Sequence, residues 1–377
     1  MIDSANRKVV MLANTAWYLF NFRASTISRL IELGWSVLAC SPDSEYSDKL
    51  RSLGATVHHV EIGRKSLNPI RELSTISQYF RLYRKIKPSI ILNFTPKCNL
   101  YSSMAAIFLG IPFINNISGL GFAFRRRGIV AKIVTFLYRI TQRFADTVFF
   151  QNHDDLQYFV QSGIVPEGIA IRIFGSGVSM KRFSYSPRVD DGKIRCIFLG
   201  RLLAEKGILI FAEVARQFAN MDERFEFSIL GQIDPGSPTG IDLNTVNDWQ
   251  REGILNYLGM SDYVESVLKN HDVIILPSSY AEGMPKSLLE AAAMGKVVIT
   301  TDTAGCRETV TESSGYLLRE NTAADINRVL TTFANLSVGE RYEMGVAARH
   351  YAEEKFSDIA NIGLYEDAIG RAVRNVD

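Results

Sequence analysis

Val273-Ile274-Ile275-Leu276-Pro277-Ser278-Ser279-Tyr280-Ala281-Glu282-Gly283-Met284-Pro285-Lys286-Ser287-Leu288-Leu289-Glu290 runs from an apolar stretch through a polar loop into a helical pattern. The four aliphatic residues 273–276, closed by Pro277, predict a buried strand. Pro285 is tolerated in the first turn of a helix, and the spacing predicts a helix over 286–294. Free amides at that helix start favour an anion, and Gly283 lets the backbone approach a ligand closely. Glu282 lies in the loop and Glu290 inside the helix. Two glutamates at this spacing are common by chance; the Ser-Ser-Tyr, Gly-Met-Pro and Ala-Ala-Ala context makes the stretch more specific.

The same strand–loop–helix alternation extends in both directions. Strands are predicted at 9–12, 36–40, 56–60, 90–94, 113–116, 147–150 and 170–174, with helices such as 24–33 and 70–86 between them. The pattern restarts near Ile194, with strands at 194–199, 226–230, 254–257, 273–276, 297–300 and 316–318 and helices at 207–220, 264–269 and 286–294. That alternation predicts an α/β protein with parallel sheets covered on both faces. A chain of 377 residues suits two domains of ordinary size. Residues 184–192, polar and containing Pro187 and Gly192, read as the linker. Residues 358–374 have helical spacing.

Charge is uneven. Residues 1–190 hold 24 Lys+Arg and 12 Asp+Glu, or +12; the remainder holds 18 and 28, or −10. Two domains with different partners follow, and a nucleic acid, an anionic lipid or a diphosphate acceptor would each fit the basic half. Residues 98–124 carry no formal charge, but Gly110 and Pro112 interrupt them, so a helix, a turn and a strand are expected instead of a membrane span. Residues 1–8 lack the apolar core of a signal peptide. The dispersed cysteines Cys40, Cys98, Cys196 and Cys306 form no CxxC pair and read as buried thiols of a cytosolic protein. The five histidines lack metal-ligand spacing, so no metal is expected.

Ligands of open parallel sheets bind beyond the carboxyl ends of the strands. Gly200-Arg201-Leu202-Leu203-Ala204-Glu205-Lys206-Gly207 follows the strand 194–199, and its two cations suit a diphosphate. Taken alone, they are ordinary surface charges. Gly175-Ser176-Gly177 is a fragment of GxGxxG, interrupted by Met180, and gives weak support for a dinucleotide site. Asn152 and Asp155 follow the strand 147–150; one of them is expected to cap a helix.

With GRLLAEKG, LGQID, NYLG, ILPSSYAEGMPKSLLEAAAMGK, TTDTAGCRETV and SGYLL, the chain resembles glycosyltransferase family 4, the retaining GT-B transferases. The resemblance covers nearly the whole chain and is strongest over 200–318. It points to members that add a sugar to an undecaprenyl-diphosphate-linked acceptor in surface-polysaccharide or glycan assembly. It implies two Rossmann-like domains facing a cleft: 1–185 toward acceptor and membrane, 193–357 for the nucleotide sugar, and a helix over 358–377 crossing back to the first domain. It implies that Arg201 and Lys206, in the loop opened by Gly200, hold the donor diphosphate. Glu290 would bind the ribose and Glu282 the donor sugar. Glu282, Lys206 and Arg201 are then the catalytic groups. Gly283, Met284 and Pro285 would offer backbone to the donor, with Ser287 and Leu288 near the phosphates.

Two positions depart from the family pattern. Ser118, before Gly119-Leu120-Gly121, stands where many members have a sugar-contacting histidine. Asn14-Thr15-Ala16-Trp17-Tyr18 replaces a glycine pair, so the side chains of Asn14 or Thr15 would assist a weaker amide cradle. Asn14, Thr15, Ser118, Gly119 and Asn152 form the expected acceptor side.

Arg125-Arg126-Arg127 precedes a helical pattern over 129–144. Lys132, Arg139 and Arg143 share a narrow stripe beside an apolar face of Ile129, Ile133, Leu137, Ile140 and Phe144. This reads as an interfacial helix on anionic lipid or as an ordinary sheet-covering helix; the Arg triplet and the basic domain favour lipid. The expectation is a cytoplasmic enzyme, peripheral at the inner face of the membrane. It would move an N-acetylhexosamine or hexose from a UDP-sugar to a lipid-diphosphate-linked saccharide, with no cofactor and no nucleic acid partner. A UDP-sugar epimerase of the same architecture, or a noncatalytic membrane scaffold, are the alternatives.

Overall fold

The computed structural model describes residues 7–63, 69–119, 128–280 and 282–374. Two compact units emerge: residues 1–176 with 358–377, and residues 177–357.

The first unit contains β1 (Lys8–Leu12), α1 (Ala16–Glu32), β2 (Ser36–Ser41), α2 (Tyr46–Ser52), β3 (Thr56–His59) and α3 (Pro69–Ile86). It continues with β4 (Ile90–Asn93), α4 (Ser103–Leu109), β5 (Phe113–Ile117), α5 (Ile129–Gln142), β6 (Thr147–Phe150), α6 (His153–Gln161) and β7 (Ala170–Arg172). Its sheet has the order β3-β2-β1-β4-β5-β6-β7, and every neighbouring pair is parallel. Alternation along β1 sends Val9 and Met11 to one apolar layer and Val10 and Leu12 to the other. Helices α1 and α2 cover the first face, and α3 to α6 supply Tyr83, Ala106, Tyr138 and Phe159 to the second.

The second unit contains β8 (Ile194–Leu199), α7 (Ile208–Met221), β9 (Phe225–Leu230), α8 (Leu243–Arg251), β10 (Asn256–Tyr257), α9 (Val264–Leu268) and β11 (Val273–Leu276). There follow α10 (Lys286–Ala293), β12 (Val297–Thr301), β13 (Gly315–Leu318), α11 (Ala323–Ala334) and α12 (Val338–Lys355). The sheet order is β10-β9-β8-β11-β12-β13, again parallel. The last helix, α13 (Asp358–Arg374), belongs to the first unit.

Three expectations shift. Helix α1 starts at Ala16, not at residue 24, because Thr15 caps it by accepting from the Tyr18 amide; its aromatic first turns hide the helical period. Of 254–257, only Asn256 and Tyr257 pair as a strand. Residues 184–192 pack within the second unit instead of linking the halves: Ser186 N donates to Met294 O, and Arg188 grips Asp272. In 98–119 a π-turn at Cys98–Ser102, α4 and β5 appear in sequence, with Gly110 ending α4 at φ +64°. Among the described residues no helix is long and apolar enough to cross a membrane.

Helix α13 is held by a buried cation. Arg23 of α1, only 1% exposed, lies 4.4 Å from the centre of the Phe94 ring and donates to Tyr365 Oη at 3.2 Å. Tyr365 also accepts from Asn116 Nδ2 at 2.5 Å. Ser25–Asp358 and Arg29–Glu366 extend the seam. Arg23→Ala is expected to cost about 3 kcal/mol, because it empties packed volume and deletes the cation–π contacts. Arg23→Met, closer in volume, is expected to cost less. Denaturant titration of both variants checks the ranking.

Candidate functional site

The expected donor residues gather at the carboxyl edge of the second sheet. β8 and β11 are neighbours in register, Cys196 beside Val273 and Ile197 beside Ile274, so the loops that follow them adjoin. Contacts between glycine backbones shape the first loop. A Cβ on Gly231 would lie 1.7 Å from Gly200 O, so the turn after β9 rests directly on the turn after β8. Residues 232–241 fold back over it, with Leu202 N donating to Gln232 O and Ile241 N to Leu202 O. The same excursion brings Asp234 to 3.4 Å from Arg201, whose side chain stays half exposed.

A short 3-10 turn, Ala204–Lys206, then presents Lys206 and ends at Gly207 with φ +81°. A Cβ there would meet Pro277 O at 2.1 Å. Ser279 N donates to Glu205 O at 2.9 Å, tying this turn to the loop after β11. The tie sets Lys206 Nζ 2.8 Å from Glu282 Oε1, with both side chains at or below 15% exposure. The two groups thus neutralise each other. A partly buried charge stripped of its partner costs several kcal/mol, so a ligand that takes Lys206 must supply anionic oxygens in exchange.

Helix α10 follows. Pro285 sits at its N-cap and makes no side-chain cap bond, and a helix N-terminus favours an anion. Leu288 is fully buried and Met284 nearly so; both serve the core with their side chains. Ser287 stays half-buried. Glu290 is 12% exposed and 4.0 Å from Lys286. Burial pushes its carboxyl up to about 7, opposed by Lys286 and Arg182 and reinforced by Glu265.

Sequence reading overlooked three supports of this edge. Gly305, at φ +77°, lies beneath the donor loop, where a Cβ would come within 2.2 Å of Gly283 O and 2.8 Å of Glu282 O. Asp234 steadies Arg201. Arg182 clamps Glu265 at 2.9 Å and also donates to Asp262 O. The Thr-Ala-Gly of 303–305 was the one available signal for Gly305.

In the first unit two of the expected acceptor-side residues cap helices. The Thr15 side chain caps α1. Asn152 is fully buried and caps α6, accepting from Asp155 N at 2.7 Å, as expected for one of the pair Asn152 and Asp155. Asn14, Ser118 and Gly119 are half-buried at strand ends. Leu120, Gly121, Arg125, Arg126, Arg127, Arg64, Lys65 and Ala281 lie outside the described residues. Lys132, Arg139 and Arg143 are exposed along and just beyond α5.

Two parallel sheets of this kind, each with its own helical cover, define the GT-B class of glycosyltransferases. Residues 180–351 match the family described as Glycosyl transferases group 1, and residues 8–152 match Glycosyl transferase 4-like. The chain belongs to these family 4 glycosyltransferases. It is 27% identical over 342 residues to the N,N'-diacetylbacillosaminyl-diphospho-undecaprenol alpha-1,3-N-acetylgalactosaminyltransferase of Campylobacter jejuni, covering 86% of this chain and 88% of the relative. It is 22% identical to the capsular polysaccharide biosynthesis glycosyltransferase CapM of Staphylococcus aureus, over 82% of this chain and 83% of that one. In fold it is similar to Anabaena HepE, crystallised with UDP and glucose, at a TM-score of 0.79 and 13% identity over 97% of this chain and 99% of that one.

Proposed function

We propose that this glycosyltransferase moves a sugar from a UDP-linked donor to a hydroxyl of a lipid-diphosphate-linked saccharide, retaining the anomeric configuration. The step belongs to surface-polysaccharide or glycan assembly at the inner face of the cytoplasmic membrane. The Lys206–Glu282 pair carries this reading: a cation suited to a diphosphate and a carboxylate suited to sugar hydroxyls stand 2.8 Å apart at one strand edge. The Campylobacter relative supports the lipid-linked acceptor, and the UDP and glucose bound to HepE support the donor.

Arg201, Lys206 and the first turn of α10 hold the charge that collects on the departing diphosphate. Glu290 accepts from the ribose hydroxyls, and Glu282 turns to the donor sugar once the diphosphate engages Lys206. The C1–O bond to the phosphate breaks as the acceptor oxygen bonds to C1. The acceptor proton passes to the leaving phosphate oxygen, so no enzymic nucleophile is required and the Ser118 position does not block the reaction. Charge neutralisation by these side chains needs no metal, and turnover is expected to persist in excess chelator.

A panel of UDP-sugars screened by thermal shift, followed by transfer onto lipid-diphosphate saccharides, tests the reading. An α-linked product from an α-linked donor is expected by NMR. Isomerised donor in the absence of acceptor would instead favour the epimerase.

Glu290 adds a pH signature. Its raised pKa means that the free enzyme holds the proton at mildly acid pH. The stability from that protonation is complete below the ordinary value of 4.5 and is lost as pH rises through about 7. The ionised form is the better acceptor for ribose hydroxyls, so UDP affinity is expected to rise from pH 6 to pH 8. The thermal shift produced by UDP should grow over the same range, and Glu290→Ala should flatten the dependence and cut turnover strongly. Full activity of purified Glu290→Ala would sink the donor-site assignment.

A further inference from the structure

The second sheet carries a cavity at its amino edge, away from the donor residues. Lys206 and Glu282 follow β8 and β11, whereas Lys193, Asp272 and Lys296 directly precede β8, β11 and β12 and line the cavity. The four residues of β11, at ~3.3 Å each, set the two places roughly 13 Å apart. The cavity has a volume of about 100 Å³. Helix α12 walls it with Val338, Arg341, Tyr342 and Gly345, which fall at i, i+3, i+4 and i+7 and so share one face. Tyr185 packs against the end of α10, where a Cβ on Gly295 would meet its ring at 2.4 Å.

The lining charges do not balance. Arg188, Lys193, Lys296 and Arg341 stand against Asp190 and Asp272, four cations to two acids, or +2. Burial lowers the pKa of His271, which therefore adds no charge at neutral pH. Both acids are already engaged, Asp272 with Arg188 at 2.9 Å and Asp190 with Arg341 at 3.0 Å. Lys296 is 2% exposed, and its ammonium donates to Ser186 O at 2.6 Å and to Lys269 O at 3.4 Å. Among the described residues no carboxylate lies within ion-pair distance of it. Burial pulls its pKa down to about 8, opposed by Asp272 and reinforced by Arg188, and such a buried cation gains from an anion beside it. An ammonium has three N–H donors, so one remains after the two carbonyls. Arg341 spends one of its five on Asp190. The Tyr185 hydroxyl is enclosed near Tyr342 without a hydrogen bond of good geometry.

We propose that this cavity is a second ligand site, which takes a phosphate-bearing anion on Lys296, Arg341 and the Tyr185 hydroxyl. A phosphate group offers several acceptor oxygens and up to two negative charges, which match those donors and the +2 lining. The volume admits that group and falls well below the roughly 300 Å³ at which pockets for larger organic ligands begin, so a nucleotide sugar is excluded. The site requires neither the donor nor the acceptor of the proposed reaction. Free phosphate and the phosphate of a small ester share this chemistry.

Calorimetric titration of the full chain tests it, with UDP in excess to occupy the donor edge and with inorganic phosphate or glucose 1-phosphate as the probe. One phosphate per chain is expected to bind. Lys296→Met and Arg341→Gln should each weaken it about tenfold, the worth of one charge-assisted hydrogen bond. Arg341→Gln, at a partly exposed side chain, keeps the test valid should Lys296→Met fail to fold. Lys206→Ala should hold phosphate affinity within about twofold of the parent, and both cavity variants should bind UDP as the parent does. Tighter binding of glucose 1-phosphate would assign the site to an ester; equal or weaker binding would assign it to the free anion. Three results overturn the proposal: no phosphate binding at millimolar concentration, unchanged binding in Arg341→Gln, or loss of binding in Lys206→Ala, which would move the phosphate to the donor edge. Phosphate binding in a chain that ignores UDP would sink the donor reading and leave this site intact.

Discussion

Lys206→Ala is expected to lower turnover by about 10²–10³ while the chain stays folded, the loss typical when one preorganised charge-stabilising group is removed from a reacting centre. The structure makes this residue hard to replace. Gly207 closes the turn against Pro277, and Ser279 fixes Glu205, so the turn that presents Lys206 is held on both sides. The variant also removes the Lys206 cation from Glu282, which is 13% exposed. Part of the penalty should therefore appear as lowered thermal stability. Glu282→Gln added to Lys206→Ala should recover that stability, since it removes the charge that Lys206 neutralised, and should recover no activity. The two readouts separate a lost structural ion pair from a lost catalytic cation. Steady-state rates with a UDP-sugar and melting curves of the three proteins provide them; turnover of Lys206→Ala within about threefold of the parent would exclude a charge-stabilising role.

Gly305→Ala is expected to be nearly as damaging, without removing any group that meets the substrate. Its φ of +77° places an alanine in the left-handed region, at a cost of about 1–2 kcal/mol. The added methyl would lie 2.2 Å from Gly283 O, so the donor loop must shift by on the order of an ångström. A displacement of that size at a reacting centre costs on the order of 10²-fold in rate. The expected outcome is a raised KM for donor, a fall in kcat and a modest drop in melting temperature. If melting temperature falls while donor KM and kcat hold, the glycine supports the fold alone.

The elements themselves were legible because their signals are local. Parallel strands buried on both faces read as short apolar runs, and most boundaries fell within a residue or two. The errors have local causes as well. The aromatic cluster Trp17 to Phe22 masked the start of α1. The polar 184–192 looked like a linker because its bonds to Asp272 and Met294 run to distant residues. Of Asn152 and Asp155, one was expected to cap a helix, and the position of the Asp155 amide shows that it is Asn152.

By itself the sequence determined that two parallel-sheet units alternate strand and helix, and that Lys206, Glu282 and Glu290 follow strands beside a helix start. Periodicity, proline and glycine act over a few residues, so such features can be read in order along the chain. Tertiary structure alone decided which of these residues meet. β8 lies beside β11 only through crossover connections, and that adjacency is what pairs Lys206 with Glu282. It likewise placed Gly305 beneath the donor loop, enclosed Arg23 to hold α13, and rotated α5 so that Phe136 faces outward. Each of these depends on packing between segments far apart in the chain, where no local pattern carries the information.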